Sequence, residues 1–115
     1  MSDRSDLEFL NDIREAINRV KSYTSFMNYK EFLKDKKTQD AVVRNIEIIG
    51  EATKNISITI QNKNPDVPWS DMARTRDKII HFYFGVNYDI VWDVVKEELP
   101  KVLKEIRGII KKEIG

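Results

Sequence analysis

Apolar residues recur at helical spacing along most of this 115-residue chain. From Ser5 to about Tyr23 they fall at Leu7, Leu10, Ile13, Ile17 and Val20, a stripe along one side of a helix. Residues 24 to 37 are more mixed. Phe26, Tyr29, Phe32 and Leu33 suggest a short helix that ends in the charge run Lys34-Asp35-Lys36-Lys37. Thr38 reads as the N-cap of a second main helix running to about Ile58. Its apolar positions Val42, Ile46, Ile49 and Ile56 are widened by Val43, Ile48 and Ala52. The stretch 61 to 70 carries Asn62, Asn64, Pro65, Pro68 and Ser70, which is loop chemistry. Ser70 is placed to cap a third main helix over roughly 71 to 83, with Gly85 as its stop. Asn87 caps the last helix, from Tyr88 towards Glu113 through Val91, Val95, Val102, Ile106 and Ile109. Pro100 inside it removes a backbone donor, so a kink or break is predicted near Leu99. No strand pattern and no repeat is visible. The expected fold is all-α, an antiparallel bundle of four main helices plus a short extra one, as a single domain over residues 1–115.

Composition narrows the chemistry. Hydrophobic residues at 41% and charged residues at 34% fit amphipathic helices around one core. The absence of cysteine removes disulfides and thiolate metal sites, and a lone histidine argues against zinc. No metal or other cofactor is therefore expected. Met1 to Asp6 are polar with mixed charge, and no apolar run is long enough to span a bilayer, so no leader and no membrane segment are expected. The composition fits a cytoplasmic protein. A net charge of +1 is too small for nucleic-acid binding by bulk electrostatics, so any RNA binding must use local patches. Arg74, Arg76 and Lys78 form one, diluted by Asp71 and Asp77; Lys101, Lys104, Arg107, Lys111 and Lys112 outweigh Glu105 and Glu113 in another, which reads first as a solvated helix face.

The candidate chemistry lies near His81, the one side chain whose ordinary pKa lets it exchange protons near neutral pH. Arg76, five residues earlier, offers a fixed cation for a phosphate. Met72, Arg76, Ile79, Ile80 and Tyr83 share one face of an ideal helix, which puts Arg76 on the inward stripe, where it needs a partner. The stripe Arg44, Glu47, Glu51 and Lys54 offers two glutamates across the bundle, or is simply the solvent face of its helix. On an unbroken helix His81 points about 140° away from Arg76, so either the helix frays near Ile80 or the arginine reaches around on its stem. A histidine capping the helix C-terminus is the competing reading. Phe82, Tyr83, Phe84 and Tyr88 make an aromatic cluster beside it, read as packing for Phe82 and Phe84. There is no phosphate-binding glycine loop, dinucleotide fingerprint or nucleophile elbow.

Arg76, four residues, His81, one residue, Tyr83 resembles the R-x(4-6)-H-x-Y signature of the HEPN superfamily, and within it the HepT-like group. Asn45-Ile46-Glu47-Ile48-Ile49-Gly50-Glu51-Ala52 is similar to that group's second-helix signature. Val67-Pro68-Trp69, His81-Phe82-Tyr83-Phe84-Gly85-Val86, Val91-Trp92 and Leu99-Pro100 are similar as well, so the resemblance runs from about Leu7 to Ile110. It implies an all-α bundle, usually a homodimer, acting as a metal-independent RNase toxin. The implied partner is a minimal nucleotidyltransferase that serves as antitoxin by attaching AMP to the motif tyrosine. By position, Arg76 and His81 would be catalytic and Tyr83 the modified residue. Glu47 and Glu51 match acidic positions of the family, and Arg44 is a further supporting candidate. Two other readings compete: a non-catalytic module presenting a substrate or nucleotide to a separate nucleotidyltransferase, and a purely structural helical protein.

Overall fold

The computed structural model describes residues 4–81 and 85–115. Helix α1 (Asp6–Thr24) opens on a capping box: the Ser5 hydroxyl accepts from the Glu8 N–H while the Glu8 carboxylate accepts from the Ser5 N–H. Leu10, Ile13, Ile17 and Val20 of the expected stripe are buried, and α1 packs most extensively against α3 (Lys36–Lys54), then against α8 (Leu99–Ile114). The short helix α2 (Tyr29–Lys34) buries Phe32 completely.

The start of α3 lies earlier than Thr38. Asp35 is the N-cap, accepting the Thr38 N–H at 2.9 Å and the Thr38 hydroxyl at 2.8 Å. Thr38 is then the third residue of the helix, and a carboxylate serves the exposed N–H groups and the positive helix end better than a hydroxyl. The helix also ends earlier, at Lys54. Ser57 opens a separate α4 (Ile58–Lys63), and its N–H and hydroxyl both donate to the Asp6 carboxylate, at 2.8 and 2.6 Å. The expected loop from residue 61 is shortened accordingly.

The third main helix is two short ones. Helix α5 (Trp69–Ala73) and α6 (Thr75–Ile79) meet at Arg74, whose backbone (φ −106°, ψ 15°) leaves the helical region. Ser70 lies inside α5 rather than capping it; Pro68 holds the cap position. The chain then becomes extended. Strand β1 (Ile80–His81) pairs antiparallel with β2 (Gly85–Val86), Ile80 opposite Val86 and His81 opposite Gly85. Two-residue strands are too short to leave a period in the sequence, which is why none was visible. Gly85 therefore ends no helix; its φ of +74° is a left-handed conformation that glycine adopts without steric cost.

Asn87 does cap α7 (Tyr88–Asp93), accepting from the Ile90 N–H at 3.1 Å. The break expected near Leu99 takes the form of a π-helical turn, Val94–Glu98, in which the Leu99 N–H reaches back five residues to the Val94 carbonyl. Pro100 then sits in the first turn of α8, so its missing N–H falls where the wide turn already interrupts the regular ladder. The core runs between α1, α3 and α8, with Ile79, Val91 and Trp69 closing it from the short helices. The architecture is all-α apart from the two-residue strands. No helix among the described residues is long and apolar enough to cross a membrane.

Candidate functional site

His81 leaves the helix before it can cap it. α6 ends at Ile79, and the Asn87 N–H donates to the Ile79 carbonyl at 2.7 Å, so the backbone swings into the hairpin. His81 is exposed and lines an open groove of about 480 Å³ together with Tyr29, Leu33, Gly85, Tyr88 and Asp89. The groove wall is backed by a cluster of aromatic rings. The ring of Phe32 stacks against Trp92 at 5.0 Å and meets the edge of Tyr88 at 6.1 Å, while Tyr29 lies 5.9 Å from Trp92.

Arg76 is not on an inward stripe. The break at Arg74 resets the helical phase, Thr75 and Ile79 take the buried side of α6, and the Arg76 side chain is 60% exposed. Burying a guanidinium would cost several kcal/mol, about what a single buried charge does. Its Nε donates to the Glu47 carboxylate at 3.3 Å, so one of the two expected glutamates does face it. Glu51 does not. It is exposed and pairs with Lys54 at 3.3 Å along its own helix. Arg44 is also exposed and, with Glu51, lines a shallow pocket against Arg4, just before the first helix, and Asp12 within it. That pocket shares no residue with the His81 groove. The charged stripe of α3 is thus mostly its solvent face, with Glu47 as the member that reaches the motif.

Lys78 is removed from the basic patch. Its ammonium meets Glu98 at 2.8 Å and Asp71 at 3.9 Å. The hydrogen bond to Glu98, helped by the charges of Glu98, Asp71 and Asp93, raises its pKa above the ordinary lysine value. Arg74 and Arg76 remain as the exposed cations there. Tyr83, with Phe82 and Phe84, lies outside the described residues. Arg76 does not line the His81 groove, so within one chain the two motif residues flank one segment without sharing a pocket. Tyr29 and Asp89 are groove residues that sequence reasoning missed. They come from other elements, and only tertiary packing brings them to His81.

A family model described as ribonuclease HepT-like matches residues 13–109. The chain is 54% identical over 103 residues to the Methanocaldococcus jannaschii protein named "Putative RNase MJ0127", covering 90% of this chain and 85% of that one. It is 48% identical over 99 residues to the Thermococcus cleftensis protein named "Probable ribonuclease HepT", covering 86% and 90%. A second Methanocaldococcus jannaschii protein, "Putative RNase MJ1380", is 43% identical over 106 residues, covering 92% and 97%. No solved structure matches. An all-α bundle that presents an arginine and a histidine in this register, with likeness running along nearly its whole length, belongs to the HepT-like ribonuclease family.

Proposed function

We propose that this protein is a metal-independent endoribonuclease that cleaves RNA by attack of the 2′-OH on the adjacent phosphorus. The observation that carries the reading is the exposed His81, held on a short hairpin at an open groove and five residues beyond an exposed, oriented Arg76. Family membership supports it.

The chemistry follows from the side chains. Neutral imidazole takes the 2′-OH proton as the oxygen bonds to phosphorus. The bond from phosphorus to the 5′-oxygen breaks, and that oxygen takes a proton from a general acid. The products are a 2′,3′-cyclic phosphate and a 5′-hydroxyl. The guanidinium of Arg76 neutralises charge growing on the phosphoryl oxygens; Glu47 accepts from its Nε, and among the described residues its terminal nitrogens have no partner. With one histidine per chain, base and acid are supplied by two copies of His81 across a homodimer cleft. The same arrangement lets Arg76 and His81 act together without sharing a pocket in one chain.

The protein works as the toxin of a pair, with a minimal nucleotidyltransferase as antitoxin that attaches AMP to Tyr83. The test of the core reading is cleavage of single-stranded RNA in EDTA. Cleavage persists there, and His81→Ala and Arg76→Ala each lower it by at least a hundredfold, the low end of about 10²–10⁴ for a general base, with helicity unchanged. Activity within threefold of the unmutated protein in His81→Ala refutes the mechanism.

A further inference from the structure

A second groove, also about 480 Å³, runs between α1 and α8, and it carries charge of one sign. Lys21, Lys96, Lys104 and Arg107 line it, and among the described residues no carboxylate does. Two of the four make polar contacts, both with neutral groups. Lys96 donates to the Thr24 carbonyl at 3.1 Å and lies 4.6 Å over the Trp92 ring; Arg107 donates to the Asn18 amide oxygen at 3.5 Å. Their charge is not cancelled there. In a molecule of net charge +1 this is a local concentration, not a property of the whole surface.

Beside the groove stands the most exposed apolar side chain among the described residues. Phe26 follows Ser25 of the groove lining and is 99% exposed; Tyr23 is 42% exposed. The floor residues are themselves nearly buried, Val20 at 1% and Leu103 at 4%. Over that apolar floor stand four cations and, next to Ser25 in the chain, the exposed ring of Phe26, a combination that binds single-stranded nucleic acid by backbone charge and base stacking.

The two grooves are joined by a row of contacting side chains. Tyr29 lines the His81 groove, its ring meets Trp92, and Trp92 carries Lys96, which lines the basic groove. We propose that the α1–α8 groove, with Lys21, Lys104, Arg107 and the exposed ring of Phe26, is an accessory surface for single-stranded RNA, holding substrate beyond the nucleotides at His81. The assignment rests on the ribonuclease reading for its role and on charge and aromatic exposure for its ligand.

The experiment compares two substrates and one binding measurement. Phe26→Ala, and the triple variant Lys21→Gln, Lys104→Gln, Arg107→Gln, are assayed on a long single-stranded RNA and on a dinucleotide too short to reach the second groove. Each lowers kcat/KM on the long RNA by about tenfold, which for Phe26→Ala is within the range that one lost stack produces, and leaves the dinucleotide within twofold. Binding of labelled oligouridine to His81→Ala is titrated against salt. Adding the triple change flattens the log–log slope by about 2, at about 0.7 per phosphate contact on a single strand. Long-RNA cleavage and salt slope both unchanged in the variants overturn the assignment, as does an equal loss on the dinucleotide. If the unmutated chain cleaves neither substrate, the ribonuclease reading fails by itself, and the oligouridine slope alone then decides whether the groove binds RNA. A slope unaffected by the triple change, together with capture of an acidic peptide, gives the groove to a protein partner instead.

Discussion

Ending α6 at Ile79 decides what His81 can do. On a continued helix the imidazole would have pointed well away from Arg76 or capped the C-terminal carbonyls. In the extended β1 it stands in an open groove, opposite a glycine whose left-handed backbone adds no side chain to the wall. The residues on either side have separate duties. Arg76 is oriented by Glu47, and Lys78 is tied down by Glu98. Tyr83, two residues after His81 in the chain, is the proposed control point. AMP on its hydroxyl adds bulk and a negative phosphodiester close in sequence to the proposed base, and that charge competes with substrate phosphate for arginine. Tyr83→Phe keeps the ring and removes the attachment atom. After incubation with the cognate nucleotidyltransferase and ATP, intact mass is expected to rise for the unmutated protein and to stay fixed for Tyr83→Phe. AMP on the variant at the unmutated level removes Tyr83 from the scheme.

Among the elements, the long helices and the short α2 were legible in the sequence, and the pieces between residues 69 and 86 were not. α1 and α3 carry several turns of apolar periodicity, and tertiary packing obeys it. The described residues between 69 and 86 form two five-residue helices and two two-residue strands, each shorter than the window in which a period is measurable. That is the segment bearing Arg76 and His81. Reading it as one helix put Arg76 on the inside, an error of phase introduced at Arg74 alone. The motif spacing survived because it depends on order along the chain and not on the path between. Caps were misplaced where two acceptors competed: Asp35 took the role expected of Thr38. This cap has a pH signature. The Thr38 N–H, then the Thr38 hydroxyl, hold the Asp35 carboxyl below the ordinary aspartate range. The unfolded chain therefore takes up that proton more readily than the folded one. The stabilisation is complete above the unfolded value of about 4 and is lost as pH falls through the lower folded value. Asp35→Asn keeps a good capping oxygen without the charge. Between neutral pH and about pH 3 the variant is expected to lose less stability than the unmutated protein, as read by denaturant midpoints. Equal losses in the two proteins refute the assignment of this dependence to Asp35.

At the scale of the whole molecule, the candidate site is incomplete in one chain. One chain offers one histidine, and Arg76 lies outside the His81 groove. The proposed reaction needs both a base and an acid, and in that proposal a two-fold assembly supplies them, each cleft drawing on both subunits. Sedimentation at micromolar concentration is expected to show a dimer, but a dimer alone does not show a shared cleft. Mixing does. The unmutated chain and His81→Ala are unfolded together, refolded to exchange subunits, and assayed at fixed total concentration. If each subunit acts alone, activity follows the fraction of unmutated chain, about half in an equal mixture. If one cleft needs both histidines, only dimers of two unmutated chains are active, and the equal mixture retains about a quarter. The quadratic outcome is the expected one. A linear fall in a protein that sediments as a dimer means that each His81 works without its copy, and the second proton carrier must then be sought within the same groove, where Asp89, Tyr29 and Tyr88 are the titratable side chains beside it.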